Sequence, residues 1–505
     1  MASPAIAPPD FPPSESPYLE GGYAPVDREI VAEQLPVLGA LPRDLSGTFV
    51  RTGSNPRFHP VGHYHFFDGD GMLHAVAFED GRAGYRNRWV RTEGLAAEEA
   101  AGRALYTGIL ERPDFRRPGG PYKDTGNTDL VWHAGQLLAL WWLSGKAHVI
   151  RLPDLETTGC QDWNGKLFRS ISAHPKVDPA TGEMVFFDYS PRPPCLTHGV
   201  VSAEGELVHQ APIELAGPRL QHDCAITPRF TLLFEMSMLG DPTQKDRGRM
   251  PLRMERERPA RIGVVPRLGG NQDVRWFEVA PFFMYHVINA WEEGERVVLV
   301  GCRIADPVDG DPANPKSAHP VPVLGNLRLA PTLHRWELDL TTGRASETQL
   351  DDLLTEFPRM NDGFLGRRSR YSYHPRLART PTFLFDALVR YDLDTGARAV
   401  HEYPAGWYGG EVSFTARDGG SGAEDDGYLL TFVQEEATGR SELYVIDAAD
   451  VSAPPRARIP IPQRVPTGYH TRWVPAAKLA RQRSLAPARP RVPAAEPVRP
   501  RGLAG

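Results

Sequence analysis

The chain has 505 residues, of which 41% are hydrophobic and 24% charged, an ordinary globular composition that allows a sizeable core. The formal net charge of −6 comes with Lys and Arg scattered along the chain, so no basic face is expected and nucleic acid is not a predicted partner. The four cysteines have no CxxC spacing, which argues against a disulfide framework or a thiolate metal site and favours a reducing, cytoplasmic setting. No stretch approaches the roughly 18 apolar residues of a membrane-spanning helix.

Both ends of the chain are rich in Pro and Ala and lack periodic apolar residues. Residues 1–16 and 476–505 are therefore predicted to be flexible tails, and residues 17–475 a single domain. The stretch before the first basic residue, Arg28, carries several acidic residues, unlike a signal or transit peptide. No obligate protein partner is evident.

Between the tails, short apolar or alternating runs are each closed by turn residues, which is the pattern of β-strands. The clearest runs, in chain order, are 47–53, 137–142, 183–190, 231–238, 295–302, 332–343, 388–396, 426–435 and 442–450. Helical pattern is thin and confined to residues 96–105 and, more weakly, 351–355. The chain is therefore predicted to be all-β. Because an open sheet of so many strands would expose long edges, a β-propeller is favoured.

Four of the sixteen histidines lie in apolar, strand-like surroundings where a polar ring needs a partner. They are His174, His222, His286 and His470. Their separations are 222 − 174 = 48, 286 − 222 = 64 and 470 − 286 = 184 residues, the last close to three times 61. If one blade takes roughly 60 residues, the four rings come from equivalent points of four blades and converge on the propeller axis. A centre of four neutral imidazoles suits Zn, Cu, Fe or Ni, although histidines satisfied by backbone carbonyls are the commoner arrangement.

The sequence around these histidines resembles the carotenoid cleavage oxygenase family, in order, from about Tyr18 to Pro475. The resemblance is carried by residues 51–56 (RTGSNP), 67–74 (FDGDGMLH), 127–135 (NTDLVWHAG), 173–179 (AHPKVDP), 222–227 (HDCAIT), 286–294 (HVINAWEEG), 356–361 (EFPRMN), 424–429 (EDDGYL) and 464–470 (RVPTGYH). It implies a seven-bladed β-propeller with a small dome of helices and loops over the axial face that bears the iron. It also implies one Fe(II) per subunit, held by the same four histidines, with O2 as co-substrate.

The family also uses glutamates that accept the second ring N–H of the ligands and so fix their tautomer and orientation. Two of these match Glu356 and Glu411. The third normally follows the strand that reads 137–140 here, where Trp142 stands instead. Indole cannot accept a hydrogen bond, so one histidine is expected to donate its second ring N–H to water or to a carbonyl.

The activity that the resemblance implies is oxidative cleavage of a conjugated double bond of a carotenoid or apocarotenoid, giving two carbonyl products. Cleavage of a stilbenoid or phenylpropene double bond is the alternative. In the stilbenoid branch of the family a lysine commonly precedes the glutamate, whereas Trp141 stands there in this chain. Because of Trp142, an apocarotenoid-binding protein without turnover is a second alternative.

A hydrophobic polyene substrate partitions into bilayers, so peripheral attachment to a membrane surface is also expected. Residues 281–284 and 382–385 are candidate surface segments, with buried strands as the favoured interpretation of both.

Overall fold

The seven-bladed β-propeller predicted from the sequence is confirmed. A computed structural model describes residues 16–112, 116, 122–243, 250–307, 323–324 and 327–483. In these ranges the strands form nine sheets, two of which are small two-stranded hairpins, and the other seven are the blades.

The strands are short and evenly distributed along the chain. In order they are β1 (Val31–Ala32), β2 (Leu38–Gly39), β3 (Gly47–Ser54), β4 (Gly71–Glu79), β5 (Arg82–Trp89), β6 (Asp129–His133), β7 (Gln136–Leu140), β8 (Ala147–Arg151), β9 (Glu156–Gln161), β10 (Lys176–Val177), β11 (Met184–Tyr189), β12 (Leu196–Val201), β13 (Leu207–Ile213), β14 (Ala225–Ile226), β15 (Phe230–Glu235), β16 (Met238–Gly240), β17 (Leu252–Met254), β18 (Ala260–Pro266), β19 (Arg275–Val279), β20 (Phe283–Glu293), β21 (Arg296–Ile304), β22 (Val323–Leu324), β23 (Leu327–Arg328), β24 (Thr332–Asp339), β25 (Ala345–Leu354), β26 (Tyr371–Leu377), β27 (Phe385–Asp392), β28 (Arg398–Glu402), β29 (Trp407–Tyr408), β30 (Ser413–Ala416), β31 (Gly427–Glu435), β32 (Ser441–Asp447), β33 (Ala457–Ile461) and β34 (Thr471–Pro475).

All blades are antiparallel. Blade 1 contains β1, β5, β4, β3 and β34, blade 2 contains β6 to β9, and blade 3 contains β10 to β13. Blade 4 contains β14, β15, β18 and β19, blade 5 contains β20, β21, β24 and β25, and blade 6 contains β26 to β28. Blade 7 contains β2 and β29 to β33, while β16–β17 and β22–β23 are the additional hairpins.

The two ends of the domain close the ring. The last strand, β34, pairs with β3 and becomes the innermost strand of blade 1, with Thr471 opposite Arg51. The early strand β2 pairs with β33 and becomes the outermost strand of blade 7. Both pairings join residues more than 400 positions apart, so the circle of blades has no open edge at its seam.

Blades pack face to face, so their middle strands are covered on both sides. Strands β7 and β12 are buried along their whole length, and β31 along all but its last residue. Burial on both faces explains why β7 and much of β31 read as nearly continuous apolar runs rather than as alternating ones. All nine runs interpreted as strands are strands.

The helices are few and short. Helix α1 (Glu93–Ala101) begins where the Thr92 hydroxyl accepts a hydrogen bond from Leu95 N at 3.1 Å, and it ends at Gly102, which has φ +66°. The helix predicted at 96–105 is thus confirmed, although its predicted start lies three residues after the observed one. The weaker prediction at 351–355 is wrong, because residues up to Leu354 belong to β25 and pair with β24. Short 3-10 helices lie at Pro17–Leu19, Gly21–Tyr23, Phe66–Asp68, Asn271–Asp273 and Asp362–Phe364.

Beyond β34 the chain continues as helix α2 (Ala476–Leu479) and stays attached to blade 2. Arg483 N donates to Gly135 O at 2.8 Å, and the Gln482 side chain accepts from Leu152 N at 3.0 Å. Residues 476–483, beyond the predicted domain boundary at 475, thus contact the propeller. The rest of both predicted tails, residues 1–15 and 484–505, lies outside the described residues.

Within the described residues, no helix is long and apolar enough to cross a membrane. The apolar side chains of the two segments considered as membrane contacts, at 282–284 and 383–385, are buried. Neither segment is an exposed surface.

Candidate metal centre

The four histidines singled out from the sequence meet on the propeller axis. His174 and His222 precede β10 and β14, His286 lies in β20, and His470 immediately precedes β34. These strands are the innermost ones of blades 3, 4, 5 and 1. One ring nitrogen from each histidine lies within 4.8 Å of the other three, and no histidine of the group is more than 6% exposed. The expected convergence of four blades is what the structure brings about.

The arrangement of the ring nitrogens fits a metal ion. The Nε2 atom of His222 lies 3.2 Å from that of His174 and 3.3 Å from that of His286. Ligands at right angles on an ion with bonds of about 2.1 Å lie about 3 Å apart, so these spacings match a shared ion. His286 and His470 bond carboxylates through Nδ1, which leaves a lone pair on each Nε2. Lone pairs that face one another in a buried centre can be shared by a metal cation, and imidazole suits iron, zinc, copper and nickel alike.

Two of the histidines are held by the glutamates that the resemblance picked out. Glu356 Oε2 lies 2.5 Å from His286 Nδ1, and Glu411 Oε1 lies 2.8 Å from His470 Nδ1. Each glutamate is itself fixed by a backbone N–H, Glu356 by Phe357 N and Glu411 by Thr471 N. Both carboxylates can therefore set the tautomer and the orientation of a metal-binding ring.

His222 has no such partner among the described residues. Its Nδ1 is buried without a hydrogen bond, and so is Nε1 of Trp142, whose ring centroid lies 6.3 Å from that of His222. Trp142 thus lies beside a histidine of the cluster whose ring has no supporting carboxylate. If Nε2 of His222 binds a metal, both Nδ1 and the indole nitrogen are donors and cannot satisfy each other.

Two aspartates near the axis were missed by the sequence reasoning. Asp129 Oδ2 accepts a hydrogen bond from His174 N at 3.0 Å, and Asp223 Oδ2 accepts one from Val287 N, next to His286, at 2.8 Å. Glu411 Oε2 likewise accepts a hydrogen bond from Thr471 N, next to His470. A buried carboxylate from one inner strand thus anchors the ligand-bearing backbone of another. The only signal in the sequence was that both aspartates lie in the matching segments 127–135 and 222–227.

The backbone at the centre is strained at two positions. His174 has φ +69° and Phe357, beside Glu356, has φ +51°, in the left-handed region that side chains disfavour by about 1–2 kcal/mol. The Phe357 ring lies 4.9 Å from the rings of both His286 and His470. These left-handed conformations place the His174 and Phe357 rings at positions that an extended strand would not reach.

Burial favours the neutral form of three of the four histidines, His174, His222 and His286. It lowers the pKa of His174 and His222 well below the usual value, with the neighbouring histidines adding to the effect, and it lowers the pKa of His286 to about 3. Burial also raises the pKa of Glu356 to about 8, whereas the pKa of Glu411 is lowered because His470 and Arg359 outweigh its burial. Neutral imidazoles leave their lone pairs free for a metal at neutral pH.

Two cavities of opposite character meet at the histidines. On one side the cavity is walled by aromatic and aliphatic side chains, among them Phe66, Phe67, Trp142, Tyr285, Leu324, Leu329, Phe357 and Phe383. His222, His286 and His470 form its floor. The cavity on the other side reaches His174 and carries charged residues, including Lys176, Arg359 and Arg472. The lining of the apolar cavity is of the kind that suits a hydrocarbon.

Fold and site together define a β-propeller protein with an axial centre of four histidines. Residues 23–475 match the family model described as retinal pigment epithelial membrane protein. The carotenoid 9,10(9',10')-cleavage dioxygenase 1 of Arabidopsis thaliana is 36% identical over 500 residues, which cover 92% of this chain and 91% of that protein.

Solved structures agree. A lignostilbene dioxygenase from Pseudomonas brassicacearum superposes with a TM-score of 0.82 at 29% identity, covering 93% of this chain and all of that chain. The cobalt-substituted Synechocystis apocarotenoid oxygenase gives a TM-score of 0.77 at 28% identity, covering 90% of this chain and 98% of that one. The chain belongs to the carotenoid cleavage oxygenase family, as its sequence predicted, and the prediction that it is an enzyme of the dioxygenase type is confirmed.

Proposed function

We propose that this protein cleaves a conjugated carbon–carbon double bond of a carotenoid or apocarotenoid with O2, giving two carbonyl products. The four histidines would hold one Fe(II) ion per subunit. The observation that carries the proposal is the position of their buried nitrogens at the floor of an apolar, aromatic-walled cavity. Relatives named for carotenoid cleavage support the same reaction class.

Different residues of the chain have different roles in the proposed reaction. Ferrous iron at such a centre supplies the activation of O2 towards an electron-rich double bond. Glu356 and Glu411 orient two of the ligands, and Asp129 and Asp223 anchor the backbone that carries them. Phe357 and Tyr285 pack on the imidazole rings and exclude water from the centre. No general base is required, because the substrate loses no proton before its double bond is attacked.

The character of the cavity favours a polyene over a phenol. Among the described residues that line it there is no lysine or arginine to receive a phenolate, and Trp141 stands where the stilbenoid branch commonly has its lysine. Dispersion contacts and area burial from aromatic walls suit an extended hydrocarbon. Stilbenoid cleavage remains the second candidate because of the likeness to the lignostilbene dioxygenase.

The decisive experiment is an aerobic incubation of the iron-loaded protein with carotenoids, apocarotenals and stilbenes, with the products identified by mass. We expect paired carbonyl fragments from a polyene, no product under argon, and none from the His286→Ala variant. Faster turnover of stilbenes than of apocarotenals would establish the second candidate. Tight binding of a polyene without any product in air would instead indicate an apocarotenoid-binding protein.

We also propose that the enzyme takes its substrate from a membrane surface, because carotenoids partition into bilayers. Both apolar segments considered from the sequence are buried, so the attachment surface must lie elsewhere. Co-sedimentation with liposomes at low and moderate salt tests this proposal. Failure to co-sediment, together with faster turnover of stilbenes in detergent-free buffer than of micellar apocarotenals, would refute it.

A further inference from the structure

Blade 2 carries a cluster of chemically reactive side chains on its outer strands, away from the axis. Cys160 on the outermost strand β9 is exposed and lies directly opposite His148 on β8. Its Sγ is 3.5 Å from His148 Nδ1, and His148 Nε2 is 3.3 Å from Asp124 Oδ2. Cysteine, histidine and aspartate thus stand in a row that has the order of a nucleophile, a base and an orienting carboxylate.

The Asp124 end of the row is held in place by backbone hydrogen bonds. Asp124 accepts hydrogen bonds from Gly126 N at 3.0 Å and from Lys146 N at 2.7 Å, so its carboxylate is held by the backbone of two loops. His148 is buried, only 2% exposed, and cannot turn away into solvent. Lys146 is also close, and its ammonium pairs with Glu93 at 2.6 Å. With the carboxylate fixed and the ring buried, the sulfur is the most exposed member of the row.

The chemistry of His148 follows from its two neighbours. A sulfur faces one ring nitrogen and a carboxylate faces the other, so a ring that has taken up the thiol proton can direct an N–H at each of them. Burial alone would lower the pKa of His148, but the neighbouring Asp124 carboxylate and Cys160 sulfur outweigh it and raise the pKa to about 10. His148 therefore lies where a base that accepts the proton of a cysteine nucleophile would lie.

The other cysteines provide an internal contrast. Burial raises the pKa of Cys195 and of Cys302, and it raises the pKa of Cys224 to about 12. All three are buried, and none has a histidine ring nitrogen at hydrogen-bond distance in the described structure. Among the four cysteines, only Cys160 is both exposed and hydrogen-bonded to a histidine ring.

We propose that Cys160 is an activated nucleophilic thiol that is covalently modified by soft electrophiles, and that conjugated aldehydes are the class it takes. The choice of aldehyde rests on the proposed function, since cleavage of a polyene yields carbonyl products that keep conjugated double bonds. The thiolate Sγ forms a bond to the β carbon, and the π electron pair of the C=C bond moves to the enolate. His148 gives its proton to the α carbon, so the products are a thioether and a neutral imidazole, and no oxidant is consumed.

The test uses the full-length, metal-loaded protein at neutral pH. Iodoacetamide measures the reactivity of each thiol, and peptide mapping by mass spectrometry assigns the site. Because His148 can accept the thiol proton as the sulfur attacks, Cys160 in the folded chain should react about threefold faster or more than in the urea-unfolded chain. His148→Gln should remove the acceleration of alkylation. Asp124→Asn should reduce the acceleration, because the amide oxygen can still accept from the backbone N–H groups but the negative charge is lost. Cys160→Ser should abolish folded-state labelling.

Added trans-2-hexenal tests the class of electrophile without any need for turnover. The expected product is a single adduct on Cys160, lost in His148→Gln. A folded-state rate no higher than the unfolded one, unchanged by either variant, would overturn the proposal. If His148→Gln fails to fold, the Asp124→Asn rate decides. Rapid alkylation by iodoacetamide without an aldehyde adduct would refute the aldehyde class alone. Because the aldehyde is supplied directly, an enzyme that cleaves no polyene would leave these results unaffected.

Discussion

The Trp142→Glu substitution tests the most distinctive feature of the metal centre. His222 Nδ1 and Trp142 Nε1 are both buried without a hydrogen bond, whereas His286 and His470 each have a carboxylate on Nδ1. A carboxylate beside His222 would fix its tautomer and raise its basicity. Losing such a partner typically costs about 10–100-fold in metal affinity, which corresponds to ~1.4–2.7 kcal/mol, so gaining one should tighten Fe(II) or Co(II) binding by at least ~10-fold.

The same substitution removes a large buried ring. Trp142 packs against Phe67 at 5.1 Å between centroids, and emptying such a site costs about 3–5 kcal/mol when the replacement is alanine. We therefore expect Trp142→Glu to bind metal more tightly while its thermal midpoint falls. Trp142→Leu is the matched control, because it loses the ring without gaining an acceptor.

Anaerobic titration with Co(II) against a competing chelator measures the affinity directly. The expected order is glutamate variant tightest, with parent and leucine variant close together. Equal affinity in all three proteins would show that Trp142 does not occupy the carboxylate position and would refute the reasoning.

Three further predictions concern the centre and its surroundings. Alanine at any one of the four axial histidines should sharply reduce bound iron, measured by metal analysis, without unfolding the propeller. The control is His133→Gln, which should retain full iron because His133 bonds a backbone carbonyl and lies outside the cluster. Glu356→Gln and Glu411→Gln should weaken metal binding and turnover by about 10–100-fold with little change in the thermal midpoint, and full activity in both would make the carboxylates purely structural. Burial lowers the pKa of His65 and His374 to about 3, so below their unfolded value of about 6.5 the unfolded chain binds more protons and stability falls on acidification, by about 1.4 kcal/mol per pH unit for each group. Urea midpoints between pH 7 and pH 5 should show this fall, and His374→Gln should flatten it; an unchanged slope in that variant would contradict the assignment.

Local pattern was enough to predict the strands and the meeting of the histidines. Strand β31, for example, is marked by its continuous apolar run, because burial between blades leaves a signature along the strand itself. Separations of 48, 64 and 184 residues between the histidines reflect the blade repeat, and so they predicted convergence on the axis. The roles of Glu356 and Glu411 came from the family resemblance alone, since nothing local distinguishes them from strand-edge carboxylates.

What could not be predicted depends on contacts between blades. Asp129 accepts from the backbone of His174, 45 residues away, and Asp223 from that of Val287, 64 residues away. Such bonds arise from the angle at which neighbouring blades pack, which no window of sequence contains. The start of α1 was missed for a simpler reason: the Thr92 cap lies outside the apolar pattern, and the helix buries little more than Leu95 and Glu98.

The propeller brings seven inner segments to one axis, and each supplies a side chain at or near the histidine cluster. Blades 1, 3, 4 and 5 supply the histidines, while blades 6 and 7 supply Glu356 and Glu411. Blade 2 supplies Asp129 to the backbone of His174, and beside His222 it offers Trp142 instead of a carboxylate. Six of the seven blades thus supply either a histidine of the proposed metal site or a glutamate bonded to one, and blade 2 supplies an aspartate and an apolar side chain. Because the ring of blades is closed, a change at Trp142 should alter the surroundings of His222 without moving the other three histidines, and under the proposed function blade 2 would set the balance between metal affinity and an apolar cavity.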